Sequence, residues 1–282
     1  MKLSHLLIAI VCFGLTACTE ATKDNQNERS EKVKETIANM KLAQDNHSYA
    51  IPNEARVKHL FWDAQVDFEN HQIHGTASFD IDNIKKVNRI LFDTRDLTIH
   101  KVWLDDSLDT QWSVGPSDPI KGAPLEVEIT PDTKKVHISY SSSPEAGALL
   151  WVEGDKPFLF TQSQAILGRT WIPCQDSPGI RYTYEARVKV REDLLALMSA
   201  TNPTAKNETG VYEFRMDQPI PSYLMALAVG DIEYREVGPH TAVYATPDLI
   251  EKAAWEFAEM EQMLTAAEAL YGAYVWERYD LL

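Results

Sequence analysis

Val66 to Ile81 reads VDFENHQIHGTASFDI. Val66 and Phe68 alternate with charged residues before Asn70, and Ile73 resumes the alternation after it. Apolar residues at every second position put one face of an extended chain on a core and the other in water. Asn70 stands where the chain must reverse, and Asn suits turns because its side chain bonds nearby backbone. The stretch therefore predicts two strands joined by a turn. His71 and His74 fall within it, and three residues apart on a strand they point to opposite faces. They read as solvated hairpin residues, not as a metal pair.

The same pattern spreads in both directions. RILFDTRDLTIHKVWL (89–104) supplies two short runs, and LEVEI (125–129) and VHISY (136–140) flank a turn at Thr130-Pro131-Asp132. Gly115, Pro116, Pro119, Gly122 and Pro124 mark a loop. YTYEARVKV (182–190), a turn at 191–193, LLALMSA (194–200), a polar loop over 201–210 and VYEFRM (211–216) continue the series. Pro219 to Val229 is apolar and is expected to close the sheet. Many short strands with turns between them predict a mainly β fold, an antiparallel sandwich or saddle.

Near the carboxyl end the period changes. Thr246 and Pro247 suit a helix start. Ile250, Ala253, Ala254, Phe257, Met260, Leu264, Ala267 and Tyr271 follow at helical spacing, and Gly272 suits a cap. One helix over 247–271 is expected, its glutamates forming a solvated face. Tyr274–Trp276 and Tyr279–Leu282 look like the start of another strand, with no partner in view.

Phe160 to Asp176 reads FTQSQAILGRTWIPCQD. Phe160, Gln162, Gln164 and Ile166 alternate with Thr161, Ser163 and Ala165, which predicts a strand with Gln162 and Gln164 on one face. Two such amides offer four N–H donors and two carbonyl acceptors. Lining a cleft, they would hold the backbone or terminus of a peptide without charge; a solvated strand face accounts for the same alternation. Cys174 has no evident base for nucleophilic work and reads as a packed side chain. Asp176 and Arg181 are expected to pair.

The formal net charge of −15 excludes a basic phosphate-binding surface, and so nucleic acid as a partner. The chain begins MKLSHLLIAIVCFGLTACTE. Lys2 and a short apolar core resemble a secretory signal, and Leu15-Thr16-Ala17-Cys18 matches the lipobox of bacterial lipoproteins. Acylation of Cys18 would tether the chain to a membrane. Residue 19 is not aspartate, which favours the outer over the inner membrane, facing the periplasm. With Cys12 removed and Cys18 lipidated, Cys174 is the last thiol, so no disulfide is expected. The organisation expected is a signal over 1–17, a polar tether over 18–46 with a short helix at 31–43, a β domain over 47–235 and a further unit over 236–282.

FTQSQA, WIPCQDSPGIRYTY and PSYLMALAVGDIEYREVGP, in that order, resemble the amino-terminal half of the zinc aminopeptidases. That family includes aminopeptidase N and leukotriene hydrolase, and the likeness is nearer the latter branch, from about His59 to Leu282. It implies an amino-terminal β saddle followed by the start of a thermolysin-like α/β catalytic domain. It implies removal of amino-terminal residues from peptides by a zinc-activated water, with zinc held by the full-length enzyme. Gln164 matches a glutamine that contacts substrate near its amino terminus, and Gln162 and Ala165 match its neighbours in that pocket. Leu167 stands where the nearer branch has a histidine. The family's Gly-x-Met-Glu-Asn and His-Glu-x-x-His motifs do not occur in this sequence. A piece lacking the catalytic and C-terminal parts of the same polypeptide is therefore expected, with no metal ligand or catalytic residue of its own and inactive alone. The competing expectation is a non-catalytic envelope lipoprotein whose β module binds peptides or a protein partner.

Overall fold

The structure is a computed structural model and describes residues 41–282. The signal over 1–17, Cys18 and most of the expected tether and its helix lie outside the described residues. Residues 44–282 form one unit.

The hairpin expected at Asn70 is present. β1 (Ala55–Asp67) pairs antiparallel with β2 (Gln72–Asn83), Asp67 opposite Gln72, and the Asp67 carboxylate accepts from the Glu69 and Asn70 N–H groups across the turn. Then follow β3 (Arg89–Thr94), β4 (Thr98–Leu104), β5 (Leu108–Asp109), β6 (Trp112–Val114), β7 (Ala123–Glu128) and β8 (Lys135–Ser141). Next come β9 (Leu149–Val152), β10 (Phe158–Thr161), β11 (Arg181–Lys189), β12 (Leu195–Met198), β13 (Val211–Pro221) and β14 (Leu227–Gly230). The chain continues with β15 (Glu233–Gly238), β16 (Thr241–Ala245), α1 (Ile250–Glu256), α2 (Met260–Tyr271) and β17 (Tyr279–Leu281).

Seven strands make the main sheet, in the order β13-β11-β1-β2-β8-β4-β5. Its pairs are antiparallel except β1 with β11, which run parallel. One face is buried: Leu60, Trp62, Ile73, Phe79, Val136, Ile138, Tyr182 and Tyr184 all lie within it. Two smaller sheets cover that face. Phe79 meets Phe92 of the β3-β7-β6 sheet with ring centroids 5.0 Å apart. Tyr184 donates to the Ser199 carbonyl beside the β12-β14-β10-β9 sheet at 2.7 Å. The opposite face is polar, lined by hydroxyls, imidazoles and paired charges. Burial of apolar area between these layers supplies the main driving force, about 25 cal/mol per Å².

Several expectations are corrected. Pro219–Val229 is not one closing strand: β13 ends at Pro221, a single turn of 3₁₀ helix spans Ser222–Leu224, and β14 joins a different sheet. The expected helix over 247–271 is two helices. It begins at Ile250 after a turn at Thr246, whose carbonyl accepts from the Leu249 and Ile250 N–H groups, and it breaks at Phe257–Glu259. Ile250 and Met260 both bury against Val243 of β16. Ten residues apart in one straight helix they would face about 80° apart, so packing overrides the local pattern. Tyr279–Leu281 does have a partner, running parallel to β16 from Tyr279↔Thr241 to Leu281↔Val243. Tyr274–Trp276 is not strand. Among the described residues no helix is long and apolar enough to cross a membrane.

Candidate functional site

β10 stops at Thr161, so Gln162 and Gln164 are not strand residues as the alternation suggested. Gln162 N–H donates to the Ala148 carbonyl at 2.9 Å, after which the chain turns into the 3₁₀ segment Gly168–Thr170. The alternation survives for another reason. Ser163 points in, donating to the Met225 carbonyl at 3.1 Å and accepting from the Trp171 indole at 3.0 Å. Its neighbours Gln162 and Gln164 are left exposed. The Gln162 side-chain oxygen accepts from the Gln164 N–H at 3.2 Å. The Gln164 side-chain amide has no hydrogen-bond partner among the described residues.

The loop is held from beneath by a buried charged knot. Arg169 and Asp93 are fully buried and Asp176 nearly so. Arg169 Nε donates to Asp176 Oδ2 at 2.9 Å, and its other nitrogens donate to the Asp176 and Lys121 carbonyls at 3.0 and 2.7 Å. Asp93 accepts from the Ser48 hydroxyl at 2.6 Å, the Tyr49 N–H at 2.7 Å and the Asp176 N–H at 2.8 Å. Ser222 donates to Asp176. Burial works against the Arg169 charge, but Asp93 and Asp176 outweigh it and hold the guanidinium above its usual value. Buried charges persist only when paired and hydrogen-bonded in this way. The knot ties four stretches together: Ser48–Tyr49, β3, the loop over 162–176, and the turn after β13. Gly168 fits because a Cβ there would sit 3.2 Å from Asp176 Oδ1.

The expected Asp176–Arg181 pair is not formed, since Asp176 is spent on Arg169. Cys174 is buried, and burial followed by the Asp176 and Asp93 charges pushes its thiol well above the usual range. It packs and does not react. Gln175 caps the sheet edges, accepting from Val57 N–H at 2.9 Å and donating to the Ala55 and Leu91 carbonyls at 3.2 Å.

Above the knot lies an open groove of about 370 Å³, lined by Asp45, His47, Gln164, Ala165, Ile166, Pro178 and Tyr223. Two of the three residues singled out from sequence, Gln164 and Ala165, line it; Gln162 stands behind, ordering the Gln164 backbone. Asp45, His47 and Tyr223 were missed. A signal for the knot was legible: Arg169 interrupts an otherwise uncharged run from Gln162 to Gln175.

A larger groove of about 630 Å³ crosses the polar face of the main sheet. Its imidazoles and charged side chains are engaged with neighbouring groups. His74 and His100 both meet the Ser141 hydroxyl, at 2.8 and 2.7 Å, Arg187 meets Asp63 at 3.2 Å, and Lys189 donates to the Thr209 carbonyl. His71 lies elsewhere, on Glu153 and stacked on Trp151. Among the described residues no three His, Cys, Asp or Glu side chains converge as metal ligands.

Both the sequence and the mainly β fold match known proteins. The Peptidase M1 N-terminal domain matches residues 45–224, and the chain belongs to that family. It is 37% identical over 255 residues to leukotriene A-4 hydrolase of Xenopus laevis, covering 84% of this chain and 42% of that protein. It is 34% identical over 235 residues to leucine aminopeptidase 2 of Kluyveromyces lactis, covering 80% and 35%. The solved structure of native yeast LTA4 hydrolase superposes with a TM-score of 0.80 at 26% identity, over 86% of this chain and 40% of that one. The fold is also that of an M1 zinc metallopeptidase from Deinococcus radiodurans, with a TM-score of 0.67 at 20% identity over 84% and 59%. The chain thus corresponds to the N-terminal part of such enzymes and spans about two fifths of the length of the first three. The described residues of this chain bring together no donor set that fits a zinc centre.

Proposed function

We propose that this chain supplies the substrate-facing β domain of a zinc metallo-aminopeptidase, its groove holding a peptide near the amino terminus. The observation that carries this reading is the unpartnered Gln164 amide, held at the edge of an open groove by a loop clamped from below. An amide with free donors and an acceptor meets a peptide backbone without bringing net charge. Ala165, Ile166 and Pro178 give the groove an apolar floor, as small-molecule sites commonly have. The domain itself positions and orients; zinc-activated water, in the enzyme of which it is part, would supply the nucleophile. The described chain is proposed to be inactive and metal-free by itself. Acylation at Cys18 is proposed to hold it at the bacterial cell envelope, facing the periplasm, and radiolabelled palmitate incorporation that is lost in Cys18→Ser is the test of that part.

For the groove, the test is turnover of aminoacyl-anilide substrates by the enzyme containing this domain. Gln164→Ala is expected to lower kcat/KM by about tenfold, the loss of roughly 1.4 kcal/mol of binding in the transition state. Cys174→Ala is expected to change it less than about twofold, since that residue is remote from substrate. Equal or reversed effects overturn the assignment.

A further inference from the structure

The groove has a charged side chain that no sequence motif marked. Asp45 lies on its wall, with its side chain 21% exposed. It is a formed feature, not a loose surface residue. One oxygen accepts the His47 N–H at 2.8 Å, and the Ser177 hydroxyl is close enough to stabilise the carboxylate. The His47 imidazole lies 3.5 Å from that same oxygen, and an ionised carboxylate has about four lone-pair sites, so these contacts leave the carboxylate acceptor capacity at the groove wall. Burial pushes the carboxyl up, but the His47 N–H, the Ser177 hydroxyl and the nearby His47 and Arg169 outweigh it and hold its pKa below the usual carboxylate value. Beside it stand Ala165, Ile166 and Pro178, which carry no charge. A carboxylate next to apolar walls attracts a cation more strongly than one in open water.

We propose that Asp45 is a specificity residue of this groove and recognises an alkylammonium or guanidinium group of a peptide. The inference rests on the groove reading above and adds the charge of the ligand to it. The cation has two possible sources on a peptide, its free α-amine or a basic side chain, and the shared chemistry is what Asp45 reads. Gln164 then meets the uncharged backbone while Asp45 meets the cation. The chain's negative net charge favours cationic ligands in the same direction.

The test uses the 282-residue chain and three short peptides titrated by NMR: N-acetyl-norleucyl-alanine amide, with no cation; N-acetyl-lysyl-alanine amide, cationic in the side chain; and norleucyl-alanine amide, cationic at the α-amine. At least one cationic peptide is expected to bind about fivefold or more tighter than the neutral one, a difference near 1 kcal/mol. Which one it is identifies the source. Asp45→Asn should abolish that advantage, Asp45→Glu should retain part of it, and Gln164→Ala should weaken all three peptides. Raising salt from about 50 to about 500 mM should shrink the advantage in the unaltered chain, a readout that stands even if Asp45→Asn fails to fold. Equal affinities for all three, or an advantage that survives both Asp45→Asn and high salt, overturn the role of Asp45 and leave the groove standing. No binding by any peptide overturns the groove and the inference together.

Discussion

Arg169 is the residue on which the loop depends. It is uncompensated by solvent, and its two carboxylates are equally buried. Removing one partner of a buried pair leaves the other charge stranded, at a cost of about 3–5 kcal/mol. Arg169→Met should therefore lower stability by that amount in urea melts, whereas Cys174→Ala, losing one small sulfur, should cost less than about half as much. Similar losses for both would show that the knot is held by packing alone. His137 offers a second test at this scale. Burial chiefly, with Lys135 alongside, holds its imidazole below the usual value, against the Asp105 carbonyl and the Asp105 and Asp80 charges. The unfolded chain then takes up the proton first, near pH 6.5. Stability from this residue is present above that pH and is lost as pH falls through the lower folded value. The melting temperature should drop between pH 7 and pH 5, and drop less in His137→Asn; equal slopes would contradict this.

At the scale of elements, the strands were legible and the helical end was less so. Period-two alternation marks β1, β2, β8, β11 and β13 because each buries one face and wets the other. It misled at Gln162–Gln164, where inward Ser163 and outward glutamines mimic a strand although the backbone has already turned. The break between α1 and α2 was hidden because local spacing cannot report that Ile250 and Met260 must reach the same β16 residue. These helices leave apolar side chains in water: Trp255 is 80% exposed, Leu270 74% and Tyr271 87%. Exposed apolar side chains of this kind favour association where they gather into a patch. The chain should self-associate with rising concentration in sedimentation velocity. Replacing Trp255, Leu270 and Tyr271 by Gln should suppress it without lowering the melting temperature. Unchanged association in that variant would place the sticky surface elsewhere.

At the scale of the whole molecule, two grooves compete for a ligand. One crosses the polar face of the main sheet, where the imidazoles share the Ser141 hydroxyl and the charged side chains have partners. The other lies over the Arg169 knot, where Gln164 has no partner and Asp45 keeps spare acceptor capacity. The glutamine pair marks this loop in the sequence, through its odd mixture of amides and apolar residues and its likeness to a known family. The groove itself was not legible there. Asp45, Gln164 and Tyr223 are spread over nearly 180 positions, and it is tertiary contacts such as the knot, reaching from Ser48 to Ser222, that bring their stretches together. The most direct measurement is the map of amide shifts when the isotope-labelled chain is titrated with trialanine. The Gln164 side-chain amide and the backbone of Ala165 and Tyr223 should move, with His74, His100 and Arg187 still. Shifts confined to those three sheet residues, with Gln164 silent, would contradict the assignment of this groove.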